Sequence, residues 1–499
     1  MVAVFVDLKA AFDSVDRKVL ERQLEERGVR RGLRARISEV YEETRSRVLT
    51  REGEGDAFWT RKGVRQGCPL SPILFNLILA DLEERLKEKG WGGVKVGGRR
   101  VRVLAYADDL VLLAEEEVGM GMMMRELERY LEEKKLELNV EKTKAMRFRR
   151  GGGRLRAVKW KWKGKEIEEV KEFKYLGYVV RRNGGQEGQV RDRIRRAAAS
   201  MGQVWGIGKR RFKGKWKRRM WLFDRLVWTV ASYGAEIWGW KERGEMEAMQ
   251  EKYIRWMLGV ERSTPGYMVR EELQREKMRL RAARKAWSFE RKLEEGGGSE
   301  WARRCWEEIR EKERRGEEVE GWEKERRDFM RERGVSERAD TGREGGRRGE
   351  WEEIERRERE EQKRERWEMI WKSRYNKWYK MIKGEGVPVY LESGWGESRW
   401  RRVARFRLGN EWKAARYWEK EERKRCRVCG GEEEDWEHVW ERCGWDGEDR
   451  GSWSERVREI LGEDGGGEEW MRGVERRREE ARRRGSEKGE EERGIEEEE

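Results

Sequence analysis

The first third of the chain contains continuous apolar runs and stretches with apolar residues at helical spacing, a pattern that predicts a sheet covered by helices. Residues 2–8 are apolar except at Asp7, as is typical of a buried strand. Residues 101–105 and 110–114 are largely apolar, and the acidic segment between them predicts the turn of a hairpin. Three longer stretches have helical patterns, namely residues 16–48 with breaks near Gly28 and Gly32, residues 71–89 and residues 115–135.

The rest of the chain favours helix and carries more charge. Apolar positions recur at helical spacing from 190 to 295, and the Gly-rich segment 296–299 predicts a hinge. Residues 300–383 are densely charged with both signs, which predicts a solvated helix stabilised by spaced ion pairs and broken at 342–349. The acidic end from 485 to 499 predicts disorder.

Composition adds a basic character to this outline. The 499 residues leave room for roughly two to four domains, and 44% charged against 36% hydrophobic residues is lean for a wholly globular chain. Residues 151–220 contain 22 Lys/Arg and six Asp/Glu, which accounts for the whole net charge of +16. The densest part, 209–219, predicts phosphate contact or a nuclear import signal, although a solvated charged face has the same composition. We interpret most of the 28 tryptophans as core or half-exposed helix residues, not as a base-stacking set.

Three acids occupy the ends of the predicted strands. Asp7 interrupts the first apolar run, and a carboxylate at the edge of a buried strand is costly unless it is paired or binds a metal. Asp108 and Asp109 lie in the hairpin turn, where paired acids by themselves are also a common turn signal. If the strands converge, Asp7 and Asp108 form an oxygen-ligand site for two Mg²⁺ ions, which suits phosphoryl transfer.

Five segments resemble, in order, the motifs of reverse transcriptases: Phe5-Val6-Asp7, residues 65–72, Tyr106-Ala107-Asp108-Asp109, residues 136–144 and residues 173–178. The chain looks similar to the open reading frame of a non-LTR, LINE-like retrotransposon of the insect Jockey-related type. The resemblance implies an RNA-directed DNA polymerase that uses an RNA template, a DNA primer and dNTPs. It covers roughly the first 180 residues, with weaker similarity at the carboxyl end.

The resemblance assigns roles to matching positions of this sequence. Asp7 and Asp108 would bind the two Mg²⁺ ions, and Asp109 would be the third, supporting catalytic acid. The nucleotide pocket would be formed by Phe12, Gln66, Gly67 and Lys142. Phe12 would block a ribose 2′-hydroxyl, unless it is only an apolar core contact, and Lys142 would neutralise or protonate the leaving pyrophosphate, unless it is only a surface lysine. The primer grip would consist of Tyr175, Leu176 and Gly177.

The start of the chain departs from the family pattern. Only six residues precede Asp7, whereas reverse transcriptases place a fingers region before the first motif. We therefore expect an N-terminally truncated copy without fingers or the upstream endonuclease of such elements, and its activity is an open question. The alternative is a catalytically inactive nucleic-acid-binding remnant. A group II intron-type enzyme shares the Tyr-Ala-Asp-Asp segment but usually ends in a different nuclease module.

A second candidate site lies near the carboxyl end, where the only histidine of the chain stands among three of its five cysteines. Cys426, Cys429, His438 and Cys443 have the spacing Cys-x2-Cys-x8-His-x4-Cys, which favours a tetrahedral structural Zn²⁺ site. A coincidence or a disulfide is the alternative, and a disulfide is disfavoured inside the cell. The segment resembles the zinc knuckle of retrotransposon proteins, and the neighbouring Arg423, Lys424, Arg425 and Arg427 would suit RNA contact.

The sequence thus predicts an α+β fold: a polymerase palm, with an antiparallel sheet and packed helices, then a helical thumb, charged helices and a small zinc knuckle. The predicted domains are the palm at 1–150, the primer-grip segment at 151–190, the helical thumb at 191–295, a charged helical region at 296–395, the zinc module at 396–450 and a charged, partly disordered tail at 451–499. The sequence contains no signal peptide and no membrane-spanning apolar run, which favours a nuclear or cytoplasmic protein.

Overall fold

The structure is a computed structural model, and it has the α+β class that the sequence predicts, although its main sheet is mixed and not purely antiparallel, because one pair of strands runs parallel. It describes residues 1–42, 44–51, 53–149, 151, 156, 158–317, 321–335, 347–413, 416, 419–443 and 452–496, without the side chains of 347, 348, 441 and 485–496. The chain divides into two compact units. The first comprises Met1–Gln189 and Lys292–Gly321, and the second comprises Val190–Arg291 and Trp322–Glu499.

All strands of the described residues belong to the first unit. In chain order they are β1 Val2–Val6, β2 Arg45–Ser46, β3 Leu49–Thr50, β4 Gly53–Glu54, β5 Phe58–Trp59, β6 Val94–Val96, β7 Arg99–Val101, β8 Val103–Tyr106, β9 Asp109–Ala114, β10 Lys144–Arg147, β11 Trp160–Trp162, β12 Lys165–Glu169, β13 Glu172–Tyr175 and β14 Tyr178–Arg181. The helices up to β14 are α1 Ala11–Ser14, α2 Arg17–Glu26, α3 Arg31–Glu42, α4 Ser71–Leu79, α5 Leu82–Glu88 and α6 Glu117–Lys134.

A six-stranded sheet in the order β11-β12-β10-β1-β9-β8 forms the centre of the first unit. Strand β1 is antiparallel to both neighbours, with Val4 opposite Leu112 of β9 and Ala145 of β10. All five residues of β1 are buried. Because successive side chains of a strand point to opposite faces, β1 contributes to two separate apolar layers.

The two faces of β1 contact different elements. Val2, Val4 and Val6 belong to the main core, which also contains Leu24 of α2 and Leu127 of α6. On the opposite face, Ala3 and Phe5 pack with Val111, Met146 and the partly buried Phe173 of β13. The Phe5 and Phe173 rings stack with centroids 4.4 Å apart. The sheet therefore has helices on one face and the β13–β14 hairpin on the other.

The remaining helices follow β14. In chain order they are α7 Glu187–Arg211, α8 Trp216–Leu222, a π-helix Phe223–Val227, α9 Trp228–Ala231, α10 Ala235–Trp238, α11 Gly244–Leu258, α12 Gly266–Glu272, α13 Met278–Glu294, α14 Glu300–Arg314, α15 Trp322–Glu332, α16 Arg347–Trp371, α17 Tyr379–Ile382, a 3₁₀-helix Val389–Leu391, α18 Glu397–Arg407, a 3₁₀-helix Glu421–Lys424, α19 Trp436–Glu441, α20 Trp453–Leu461 and α21 Glu468–Glu496. Helix α14 belongs to the first unit, where the Glu308 carboxylate accepts a hydrogen bond from the Gly97 N–H at 2.9 Å.

A buried ion pair joins distant segments of the second unit. Glu272 at the end of α12 and Arg407 at the end of α18 are both fully buried, with Nε and Oε1 2.8 Å apart. The Tyr379 and Tyr390 hydroxyls donate to the same carboxylate at 2.7 and 2.9 Å. Although burial opposes it, these partners lower the pKa of Glu272, so the carboxyl stays ionised.

The charged helix α16 is not simply solvated, and this part of the sequence interpretation is wrong. Trp351 and Ile354 are buried in a cluster with Trp240 and Phe329. Glu358, on the same helix, has no exposed surface and forms ion pairs with Arg279 and Arg333. The charged residues of α16 therefore include core positions that are neutralised by ion pairs, as Glu358 is by its two arginines.

Other helix predictions agree in part. Residues 115–135 form α6 as expected, and 71–89 form α4 and α5 with a break at 80–81. The predicted helix over 16–48 ends at Glu42, and short strands follow it. Helix α21 continues to Glu496 where disorder was expected, while residues 497–499 and most of the break at 342–349 lie outside the described residues. The six-domain division remains a prediction. No helix among the described residues is long and apolar enough to cross a bilayer.

Candidate active site and metal centre

The β8–β9 hairpin presents the paired acids at its tip. Tyr106 and Asp109 are opposite partners, so Ala107 and Asp108 form a two-residue turn. Ala107 has φ 54°, in the left-handed region that non-glycine residues rarely adopt. This conformation lets the chain reverse within two residues and places Asp108 at the end of the sheet.

Asp7 lies beside this turn, as the sequence predicts. Val6 is the register partner of Leu110, so Asp7 follows β1 at the position opposite Asp109. Directly opposed residues of antiparallel strands have Cα atoms roughly 4.5–5.5 Å apart. The Asp7 N–H donates to Thr143 Oγ1 at 3.2 Å, and its carbonyl accepts from the Asn139 N–H at 2.8 Å. The fourth sequence motif therefore holds the backbone of Asp7.

The three acids repel one another. Burial and the charges of Asp108 and Asp7 together raise the pKa of Asp109. Lys142, whose side chain is exposed, lies with Nζ 4.0 Å from Asp7 Oδ2. Carboxylates that lie close together are stabilised by hard divalent cations, which prefer oxygen ligands. The donor set thus fits a magnesium site.

Three of the predicted nucleotide-pocket residues lie in two adjoining segments, with Phe12 in α1 and with Gln66 and Gly67 in the loop before α4. Phe12, half-buried, stacks on Phe75 of α4 with ring centroids 5.0 Å apart. The Gln66 amide donates to both Asp13 carboxylate oxygens at 3.1 and 3.2 Å. Gly67 has φ 82°, which favours glycine at this position. Sequence reasoning assigned no role to Asp13, Asn139 or Thr143, although the last two lie in the fourth motif, because nothing in their local sequence identifies partners more than 50 residues away.

The predicted primer-grip residues form the turn of the β13–β14 hairpin. Leu176 and Gly177 have φ 46° and 77°, so both central residues are left-handed, as in a type I′ turn. The Tyr175 hydroxyl donates to the Asp109 carbonyl at 3.4 Å. Burial and the charge of Asp109 raise the pKa of Tyr175 to about 12, so the phenol remains a donor at neutral pH.

The cysteine and histidine side chains converge as their spacing predicts. The ligand atoms of Cys426, Cys429, His438 and Cys443 all lie within 4.8 Å of one another. Cys426 and Cys443 Sγ are 3.4 Å apart, and His438 Nε2 lies 3.3 Å from Cys429 Sγ and 2.9 Å from Cys443 Sγ. Zinc bonds of about 2.3 Å to sulfur and 2.0 Å to nitrogen require ligand separations of this order. The donor set fits one tetrahedral metal ion.

Neighbouring groups orient these ligands. His438 Nδ1 lies 3.3 Å from Glu432 Oε2, which leaves Nε2 directed at the sulfurs. The Asp435 carboxylate accepts from the His438 N–H at 2.6 Å and caps α19. Although burial opposes it, the Gly431 N–H and the other ligands lower the pKa of Cys429 to about 7, which favours the thiolate.

The Cys/His segment is packed into the second unit. Glu434 is fully buried and forms ion pairs with Arg427 at 2.7 Å and Arg478 of α21 at 2.6 Å. Arg478 also contacts the Glu411 carboxylate at 2.7 Å. Arg427, which the sequence suggests for RNA contact, is therefore occupied by structural ion pairs. The sequence could not indicate this, because the acids that pair with Arg427 are brought to it only by the folding of the second unit.

Comparison with known proteins defines the class of the first unit. Residues 1–180 match the family described as Reverse transcriptase (RNA-dependent DNA polymerase). Together with the sheet and the acids at its strand ends, this match identifies a reverse transcriptase domain.

Particular relatives refine the class. The chain is 35% identical over 133 residues to a retrovirus-related Pol polyprotein from type-1 retrotransposable element R2 of Nasonia vitripennis, covering 27% of this chain and 13% of the relative. It is 27% identical over 187 residues to the corresponding Popillia japonica polyprotein, covering 36% of this chain and 31% of the relative. It is 33% identical over 137 residues to the polyprotein of type-2 retrotransposable element R2DM from Drosophila melanogaster, covering 28% of this chain and 13% of the relative. The predicted resemblance to a non-LTR reverse transcriptase is thus confirmed for the domain at residues 1–180, while the Jockey-related subgroup stays a prediction. The chain spans less than a third of the length of each of these relatives.

Proposed function

We propose that the first unit extends a DNA primer with dNTPs on an RNA template. The observation that carries this proposal is the position of Asp7 opposite Asp109, next to the Asp108 turn. Acids from two neighbouring strands supply the oxygen ligands that nucleotidyl transfer requires. The reverse transcriptase match of residues 1–180 and the names of the relatives support the same activity.

The carboxylates are the catalytic groups of the proposal. Asp7 and Asp108 hold two Mg²⁺ ions, which when bound activate the primer 3′-hydroxyl and stabilise the leaving pyrophosphate. Asp109 supports the pair from the start of β9, and its raised pKa reflects the charge density that the cations offset. Lys142 neutralises the charge of the leaving pyrophosphate in this proposal, which its exposed side chain, 4.0 Å from Asp7, supports.

The incoming dNTP lies against α1 and the loop that contains Gln66 and Gly67. Gln66, fixed by Asp13, and Gly67, which exposes backbone without a side chain, bind the nucleotide. The Phe12 ring, held by Phe75, occupies the space of a ribose 2′-hydroxyl and so selects deoxyribose. The turn at Tyr175, Leu176 and Gly177 positions the primer end.

A primer-extension assay tests this function. The full chain is incubated with a primed RNA template, dNTPs and Mg²⁺, beside Asp108→Asn and Asp7→Asn. Extension that both variants lose supports the enzyme, and Asp56→Asn, an exposed acid of the same unit, serves as the matched control. No extension by the unmodified chain, with salt-sensitive RNA binding retained, supports the inactive remnant instead.

We further propose that Cys426, Cys429, His438 and Cys443 bind one structural Zn²⁺ ion. The separations of the ligand atoms and the buried setting of Cys426 and His438 support a closed site. Elemental analysis of the purified chain should find one zinc per molecule, and Cys426→Ser should lose it. Cys305→Ser, at an exposed cysteine outside the cluster, should retain the metal. A chain without zinc after purification in zinc-containing buffer contradicts the proposal.

A further inference from the structure

The start of the second unit is depleted of acids. Residues 190–235 contain 13 Lys/Arg but only two Asp/Glu. Asp192 is paired with Arg193, Arg195 and Arg196. The other acid, Asp224, is held by Arg275 and Arg281. Both negative charges are therefore neutralised locally, and the exposed charge of this segment is positive.

One continuous helical stretch in this segment has two contrasting faces. Helix α8, the π-helix and α9 run without a break from Trp216 to Ala231. Their inner face is buried through Met220, Phe223 and Val227. The outer face exposes six residues, which are Lys217, Arg218, Trp221, Arg225, Leu226 and Thr229, and Lys217 is ion-paired with Glu392. We call this outer face the Trp221 face.

The Trp221 face combines an aromatic ring with cations. Trp221 is 48% exposed, although a tryptophan is usually buried. Arg218 and Arg225 are exposed on either side of it and form no ion pair within the described part of the chain. At 1.5 Å per residue, the two arginines lie about 10 Å apart along the helix, with the indole between them.

A π-helix lies within this face. Such helices are rare and occur frequently at functional sites. Here the helix is locally wider over Phe223–Val227, and the consecutive residues Arg225 and Leu226 are both exposed there. Tyr233, just after α9, is also exposed and has the Arg193 guanidinium 5.0 Å from its ring centroid.

We propose that the Trp221 face binds single-stranded nucleic acid, with a base stacked on Trp221 and phosphates at Arg218 and Arg225. Exposed aromatic rings flanked by cations are the features that bind unpaired strands. A base in a duplex is already stacked on its neighbours, so the exposed indole favours an unpaired strand. The site lies in the second unit and does not depend on polymerase activity.

A binding titration tests the proposal. The probe is a fluorescent 12-nucleotide oligouridylate, with a blunt RNA duplex of the same length for comparison. All variants carry Asp108→Asn, so binding is measured without catalysis. Trp221→Ala should weaken oligouridylate binding about tenfold, whereas Trp221→Phe, which keeps a ring, should retain most of it. Trp371→Ala, at a tryptophan that is 63% exposed elsewhere in the unit, is the matched control and should bind normally.

The salt dependence of oligouridylate binding tests the role of Arg225 separately. Each phosphate contact to a single strand contributes about 0.7 to the slope of log Kd against log salt. Arg225→Ala should reduce the slope by about this amount. Arg364→Ala, at an exposed arginine of α16, should leave it unchanged.

Three results would overturn the proposal. The first is oligouridylate binding that Trp221→Ala leaves unchanged. The second is equal loss of duplex and single-strand binding, because it indicates backbone contact without stacking. The third is a concentration-dependent dimer, seen by sedimentation velocity, that Trp221→Ala abolishes, because it identifies the face as a contact between two copies. Equal circular dichroism spectra and Tm values among the variants establish that the fold is intact.

Discussion

The Tyr175 hydroxyl donates a hydrogen bond to the backbone carbonyl of Asp109, which joins the primer-grip hairpin to the first residue of β9. The same ring lies 5.7 Å from that of Phe5, two residues before Asp7. One side chain thus contacts both strands that position the acids. We infer that Tyr175 orients the carboxylates as well as the primer.

Tyr175→Phe should slow primer extension while leaving the fold intact. The variant keeps the ring packing but loses the donor to Asp109, and a single neutral hydrogen bond is worth about 1 kcal/mol. We expect kcat to fall roughly fivefold, with KM for dNTP nearly unchanged. Steady-state extension kinetics measure this split. A change in KM alone, or a large loss of Tm, contradicts the positioning role.

Phe12→Ala should relax the choice of sugar. Removing the ring that stacks on Phe75 opens the space proposed to exclude a 2′-hydroxyl. The ratio of dNTP to rNTP incorporation should fall at least about tenfold, because the selection is steric. Phe58→Ala, at an exposed phenylalanine of the same unit, is the control and should keep the ratio. An unchanged ratio in Phe12→Ala means that Phe12 is only a core contact.

Glu247 should make the stability of the chain depend on pH. Burial, partly offset by the N–H groups of Met278 and Arg279, raises the pKa of Glu247 to about 7 from its usual 4.5. The folded state therefore binds the proton more tightly than the unfolded state. The stabilisation that comes from the protonated Glu247 is complete below pH 4.5 and is lost as the pH rises through 7. The free energy of unfolding falls by about 3 kcal/mol in total over this range.

Urea denaturation of the zinc-loaded chain between pH 4.5 and 8 measures this effect. The difference between the unmodified chain and Glu247→Gln isolates the carboxyl from other titrating groups. We expect the unmodified chain to lose stability relative to the variant as the pH rises. A difference that is constant over this range refutes the assignment.

Glu272→Gln should destabilise the second unit strongly. The substitution leaves the fully buried Arg407 without a counter-charge, which typically costs about 3–5 kcal/mol. Thermal unfolding followed by circular dichroism provides the measurement. Glu353→Gln breaks the ion pairs of an exposed carboxylate on α16 and should leave Tm within error. Similar Tm values for the two variants would contradict the proposed role of the buried pair.

The first unit was largely predictable, because its signals are local. Apolar runs identified β1 and the β8–β9 hairpin. In the second unit, only the Cys/His cluster from Cys426 to Cys443 had a comparably local signal, namely its spacing. The second unit was less predictable, because its core uses charge. Glu272 and Arg407 are 135 residues apart, and each alone has the appearance of a solvated residue.

The contacts between individual side chains could not be predicted from the sequence either. Gln66 could be proposed from its motif, but its contact with Asp13 depends on how its loop meets helix α1. Arg427 appears in the sequence as a surface cation beside the cysteines, and only the fold pairs it with Glu434. Composition indicated correctly that most tryptophans are structural, but it could not single out Trp221, because exposure is decided by the packing of the whole helix.

The ion pair between Glu434 and Arg478 has a consequence for fragments of this chain. Glu434 lies between Cys429 and His438, whereas Arg478 is 35 residues beyond the last ligand, Cys443. A fragment cut just after the ligands would keep every sulfur, the imidazole and Arg427, yet it would lose Arg478, one of the two arginines paired with the buried Glu434. A piece that folds as it does in the whole chain therefore has to be considerably longer than the Cys/His motif.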